Sequence, residues 1–157
     1  MVKNIMMKKK ILLVDGEDLI TGTYRLTLAS IPEVKSVDSV SNTLDAQIKI
    51  DCNRQNYGLI ITADEMPSEA GKDPEPGQSI QLLNFLNDNY HGYAPPILAW
   101  SEKMDRGLCQ KLMKKGALGG MIKPVNDPRF LTGVALELMT EGYSPKLKDY
   151  LVDKGFI

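Results

Sequence analysis

The sequence predicts an α/β fold, a doubly wound five-stranded parallel sheet in the order 2-1-3-4-5 with a short C-terminal helical appendage. Three observations carry this. Short apolar runs alternate five times with segments of helical spacing, the pattern of a parallel sheet covered on both faces. The run Leu59–Thr62 is apolar or β-branched without a break and closes at Met66-Pro67, as a strand buried on both faces should. Right-handed crossovers leave few topologies for five such units, and 2-1-3-4-5 is a common one.

The elements follow in order. Ile11–Val14 is the first strand, ending in the acidic turn Asp15-Gly16-Glu17-Asp18, whose carboxylates suit the start of a helix. That helix spans Leu19–Ala29, with Leu19, Thr23 and Leu26 on one face, Ile20, Tyr24 and Leu28 beside them, and Ser30-Ile31-Pro32 ending it. Val34–Val40 alternates imperfectly and forms a less buried second strand. Asn42 or Thr43 caps a second helix through Leu44, Ile48 and Cys52. The third strand, Leu59–Ala63, stops where Pro67 withholds a ladder donor and holds Met66 extended. Ser68–Gln78, with two prolines and two glycines, is a long loop for such a connection. Ser79–Asp88 returns to helical spacing, Ile97–Trp100 is the fourth strand, and Lys103–Lys115 is a helix with Met104, Leu108, Leu112 and Met113 inward, stopped by Gly116. Gly119–Ile122 is the fifth strand. Asp127 caps a final long helix, Phe130–Met139, and Ser144–Ile157 is amphipathic.

Bulk properties set limits. A chain of 157 residues is long enough for one domain with a sizeable core. Hydrophobic residues at 43% and charged residues at 25% are ordinary for a globular protein, and a net charge of −1 gives no field that would draw nucleic acid or a membrane surface. Cys52 and Cys109 lack ligand-like spacing and read as free thiols of a reducing cytoplasm. No apolar run reaches the ~20 residues of a membrane span, and Met1–Lys10 has no apolar core of a signal peptide. The expected division is a lead-in over 1–9, one domain over 10–141 and an appendage over 142–157, with no further output domain.

In such a sheet the crevice lies outside the carboxyl ends of the strands, where the strand order reverses between the first and third. Asp15-Gly16 and Ala63-Asp64 should face each other there, bordered by Ser101 and Lys123. The four strand ends read Val14-Asp15, Met66-Pro67, Ser101 and Lys123-Pro124. In this order they resemble the receiver domain of bacterial two-component response regulators, the CheY-like, flavodoxin-like fold, over about Lys10 to Glu141. The resemblance implies a metal-binding acid at Asp15, a switch hydroxyl at Ser101, a salt-bridging lysine at Lys123 and a cis bond at Lys123-Pro124.

The chain also departs from the family. The second acid after strand one is replaced by Gly16. The phosphoacceptor position, four residues before Pro67, holds Ala63, and the aromatic switch position, three before Lys123, holds Gly120. An intact receiver pocket sets three carboxylates against one lysine, and repulsion of about 4 kcal/mol per close pair at an effective dielectric of ~20 favours a divalent cation. Asp15 and Lys123 alone nearly cancel, so Mg²⁺ is expected to be weak or absent, with Asp15, Asp64 and Glu65 as the remaining oxygen donors. Asp15 paired structurally with Lys123 is the simpler expectation.

Asp64 lies one residue late, so by period two it should point away from the pocket. It is then an exposed loop acid or a helix cap; a bulge at Ala63 would turn it inward as a substitute phosphoacceptor. Ser101 reads equally as a helix N-cap. His91, in a Tyr-His-Gly-Tyr loop, is expected to be solvated, and Trp100 to be core. A flavin-type ligand in the same crevice is disfavoured, because the acids of Asp15–Asp18 repel phosphate. The expected work is therefore that of a stand-alone receiver-like, pseudo-receiver protein, not an enzyme, without phosphorylation at Ala63. It would bind a histidine kinase, a scaffold or another regulator through the fourth helix, fifth strand and fifth helix, as a monomer or weak dimer, with no nucleic-acid or membrane partner.

Overall fold

The computed structural model describes residues 8–53, 56–91, 94–125 and 127–157. Five parallel strands, β1 (Lys9–Val14), β2 (Val34–Val40), β3 (Tyr57–Ala63), β4 (Ile97–Ser101) and β5 (Gly120–Ile122), pair in the order β2-β1-β3-β4-β5. Six helices connect or follow them: α1 (Asp18–Ala29), α2 (Thr43–Asn53), α3 (Gln78–Asn89), α4 (Arg106–Lys114), α5 (Pro128–Glu141) and α6 (Pro145–Asp153). The expected sheet and its order are both present. Most of the lead-in, residues 1–7, lies outside the described residues, as do Gly92 and Tyr93 beside His91, which is exposed; Lys9 already belongs to β1.

The core sits on both faces of the sheet. Every residue of β3 is buried, as its unbroken apolar run requires. α1 packs with α5 on one face and α2 with α3 on the other. Trp100 packs edge-on to Tyr24 of α1, with ring centroids 5.0 Å apart, and its indole N–H has no hydrogen-bond partner among the described residues.

In two helices the structure decides which apolar stripe is buried. α1 buries Tyr24 and Leu28 and leaves Leu19 and Leu26 exposed. α2 buries Thr43, Ala46 and Ile50, while Leu44, Ile48 and Cys52 are exposed. In each case two apolar stripes compete. The stripe that wins is the one whose residues meet the sheet once the strand before the helix fixes its rotation.

Caps also sharpen the boundaries. Asn42 caps α2 through the Asp45 N–H at 2.8 Å, and Asp45 returns a bond to its amide, a reciprocal arrangement. α4 begins at Arg106, capped by Asp105, and not at Lys103, so Ser101 does not cap it and Met104 lies in the preceding loop. α5 is capped by Asp127 as expected. No helix among the described residues is long and apolar enough to cross a membrane.

The appendage folds onto its own domain. Leu147, Leu151 and Phe156 are buried, and the Tyr150 hydroxyl accepts the Ile122 N–H of the edge strand β5 at 2.9 Å. Gly119 leaves room for this: a Cβ there would lie 3.1 Å from Leu151 and 3.4 Å from Leu147. The Gln110 amide reaches the Phe156 carbonyl, and Glu137 of α5 holds both Ser144 and Lys146. The surface of α4, β5 and α5, expected to be open to partners, is thus partly covered by α6.

Candidate functional site at the carboxyl edge of the sheet

β1 delivers Asp15 to the crevice, and β5 delivers Lys123 from the other side. Lys123 Nζ lies 3.0 Å from Asp15 Oδ2, 3.3 Å from Asp15 Oδ1 and 3.0 Å from Glu17 Oε1. The Lys123 and Asp15 side chains are 4% and 0% exposed. Burial works against the lysine's charge, but the two carboxylates outweigh it and hold its pKa above the ordinary lysine value. Asp15 Oδ1 also accepts the Glu17 N–H at 2.9 Å, which draws the turn over the lysine. Glu17 occupies the α1 N-cap position but makes no capping bond with its side chain; its carboxylate is committed to Lys123. The Asp15–Lys123 pair was legible in sequence. Glu17 was not singled out, although it stands only two residues after Asp15.

Gly16 has a steric reason. A Cβ there would meet Pro67 Cδ at 3.1 Å and the Ser41 carbonyl at 3.4 Å. The Met66-Pro67 segment therefore packs where a second acid would begin. That segment is fixed in turn: Met66 and Glu75 exchange backbone hydrogen bonds, and the Pro67 and Ser68 carbonyls accept the Thr43 and Leu44 N–H groups. The long loop after β3 is folded back across the strand end.

Asp64 is neither exposed nor in the pocket. It is 6% exposed; its Oδ1 accepts the Ser79 hydroxyl at 2.5 Å, and its Oδ2 accepts the Gly77 N–H at 3.2 Å. Its carbonyl accepts the Gln78 N–H. The side chain thus ties the end of β3 to the start of α3; it is not the exposed acid expected, nor is it the N-cap of α3, a position held by Gly77. Ala63 beside it is fully buried. Glu65 makes only a long, exposed contact of 3.5 Å with Lys103, worth little in water.

Ser101 accepts the Lys103 N–H on its side chain, and its carbonyl accepts the Lys123 and Met104 N–H groups. Gly120, the position of the aromatic switch in the resembled family, is filled from elsewhere. A Cβ there would lie 2.5 Å from Met104 Sδ and 2.8 Å from its terminal methyl. Met104, 5% exposed, occupies that space and pins the β4–α4 loop against β5. Lys123-Pro124 is cis.

Gly16, Glu17, Glu65, Ser101, Lys103 and Lys123 line a cavity of about 390 Å³ at this edge. A larger cavity of about 660 Å³ lies beside Tyr57, His91 and Pro96 near the amino ends of β3 and β4, and none of the expected site residues lines it. The magnesium ion implied by a receiver pocket meets a poor donor set here. Asp15 and Glu17 are bound to a lysine, positions 16 and 63 carry no carboxylate, and Asp64 is spent on α3. Among the described residues no group of three or more His, Cys, Asp or Glu side chains could hold a metal ion.

The strand order and the helices between the strands are those of the CheY-like α/β fold. Solved structures of that fold match this chain. A LuxR-family two-component response regulator from Aurantimonas is 16% identical, with 94% of this chain and 98% of that one covered at a TM-score of 0.69. The receiver domain of Francisella response regulator 1452 is 18% identical, covering 86% and 99% at 0.69. The signal receiver domain of a Luxo repressor protein from Vibrio parahaemolyticus is 23% identical, covering 92% and 97% at 0.68. At these identities the likeness is one of fold. No family model and no curated protein matches the sequence.

Proposed function

We propose that this chain is a receiver-like module of two-component signalling that acts by binding other proteins and does not accept a phosphoryl group at the usual strand end. The observation that carries the reading is the double clamp on Lys123. A lysine that serves an acceptor site faces the acceptor carboxylate, where it can meet the incoming phosphoryl charge; here Lys123 is paired with Asp15 and Glu17 instead. Ala63 offers no nucleophile, and both carboxylate oxygens of Asp64 are engaged by α3. The Met104 side chain in the Gly120 space supports a constitutive conformation, since no ring is present to move. The kind of partner is a histidine kinase, a scaffold or another regulator in the cytoplasm. A partner approaching α4, β5 and α5 meets the exposed outer face of α6, with Lys148, Asp149 and Val152.

The test is incubation with acetyl phosphate and Mg²⁺, followed by intact mass measurement beside a working receiver. The expected result is no added phosphoryl mass. A gain of one phosphoryl group that disappears in Asp64→Asn would overturn the reading and make Asp64 the acceptor.

A further inference from the structure

The outer face of α1 is apolar where it need not be. Leu19 and Leu26 are 88% and 76% exposed, one heptad apart on the same stripe. Between them lie Gly22 and Thr23, both exposed, and a Cβ on Gly22 would meet nothing within 4 Å. Two leucines flanking a small pair leave a shallow notch at the middle of a twelve-residue helix.

Opposite charges border the same flank. At 100° per residue, Asp18 and Arg25 fall on one side of the leucine stripe. Both are exposed, and neither forms an ion pair among the described residues. Laid antiparallel on a second copy about a two-fold axis between Gly22 and Thr23, the face complements itself. Leu19 meets the partner's Leu26, the small residues meet at the crossing, and Asp18 comes within two residues of the partner's Arg25 along the axis. Each contact then occurs twice, as an isologous interface requires.

We infer that α1 is a self-association surface through which two copies of this chain pack as an antiparallel helix pair. This stands apart from the phosphoryl question, because none of these side chains touches the clamp on Lys123. A single helix face is small beside the ~800 Å² per partner of a standard interface, so the dimer is weak. Because α1 begins three residues after Asp15 and the pair is antiparallel, the two carboxyl-edge sites would lie at opposite ends of the interface.

Sedimentation equilibrium of the full chain, from about 10 µM to about 1 mM, brackets the affinities of weak dimers. The expected mass rises from 17.4 kDa toward twice that value. Leu19→Glu and Leu26→Glu should each abolish the rise with no loss of folded signal. Gly22→Phe should do so while favouring the helix, since phenylalanine is the better helix former. Asp18→Arg or Arg25→Asp alone should weaken association at least several-fold, and the two together should restore it. A chain that stays monomeric at every concentration overturns the inference, and one that does so yet binds a helical partner protein through the same leucines assigns the face to that partner. A dimer indifferent to the leucine changes, or not restored by the double reversal, overturns the antiparallel pairing.

Discussion

Lys123 and Asp15 form a buried ion pair across the carboxyl edge, 3.0 Å apart and almost wholly shielded from water. Such a pair joins β1 to β5, which are not neighbours in the sheet. Two strands lie between them, so the pair is a cross-sheet tie as well as a charge arrangement.

Removing one partner leaves the other charged and buried. Lys123→Met is expected to cost about 3–5 kcal/mol in urea unfolding, and Asp15→Asn less, because Glu17 still answers the lysine. The double variant should cost less than the sum of the two. The sign of the pH dependence follows from the raised lysine pKa. The pair's stabilisation is complete below the unfolded lysine value of about 10.4 and is lost as pH rises through the higher folded value. Unfolding followed above about pH 10 should show a falling alkaline limb that flattens in Lys123→Met.

Met104 and Gly120 make the second prediction. A tyrosine at position 120 needs the volume that the Met104 thioether fills. Gly120→Tyr alone should destabilise by about 1–3 kcal/mol through overpacking. Met104→Ala alone should also cost, by opening a cavity. Combined, the two should recover much of the loss, because the ring occupies the vacated space. Independent, additive costs in denaturant unfolding would contradict this coupling.

The sheet was legible because a parallel strand buried on both faces has to be apolar or β-branched throughout, and Leu59–Ala63 is. The strand ends were legible because Pro67, Pro124 and the acids of Asp15–Asp18 are strong punctuation. Helix faces were not. α1 and α2 each carry two stripes of similar hydropathy, and only docking on the sheet decides that Tyr24 and Ile50 go in while Leu19 and Ile48 stay out. At the site, the Asp15–Lys123 pair could be read from topology together with the resemblance to receiver domains. Glu17 on the same lysine, Met104 in the glycine space and Ser79 on Asp64 depend on loop paths that no periodicity encodes.

Asp64 supplies the third prediction. Its carboxylate receives a hydroxyl and a backbone N–H at the start of α3. Hydrogen bonds to a charged acceptor are worth about 1.5–3 kcal/mol, and Asp64→Asn keeps the shape while giving up the charge. The expected loss is therefore about 1–2 kcal/mol. Ser79→Ala should cost a similar amount, with little added by the second change in the double variant. Hydrogen exchange should rise first in the opening turn of α3.

The fourth concerns α6, held through Glu137. Burial raises this carboxyl's pKa, but hydrogen bonds from Ser144 and Lys146 outweigh it and set the value below the ordinary glutamate one. A depressed acid stabilises the fold above its unfolded pKa and loses that contribution as pH falls through the folded value. The clasp should therefore loosen below about pH 4, with exchange of amides 145–153 rising before that of the sheet. Glu137→Gln should remove this acid dependence and leave α6 docked by Leu147, Leu151 and Phe156, which are buried whatever the pH. Leu151→Ala tests the apolar half separately. It should cost about 2–5 kcal/mol with no change in the acid limb, since it opens a cavity against Gly119 and leaves Glu137 with its partners.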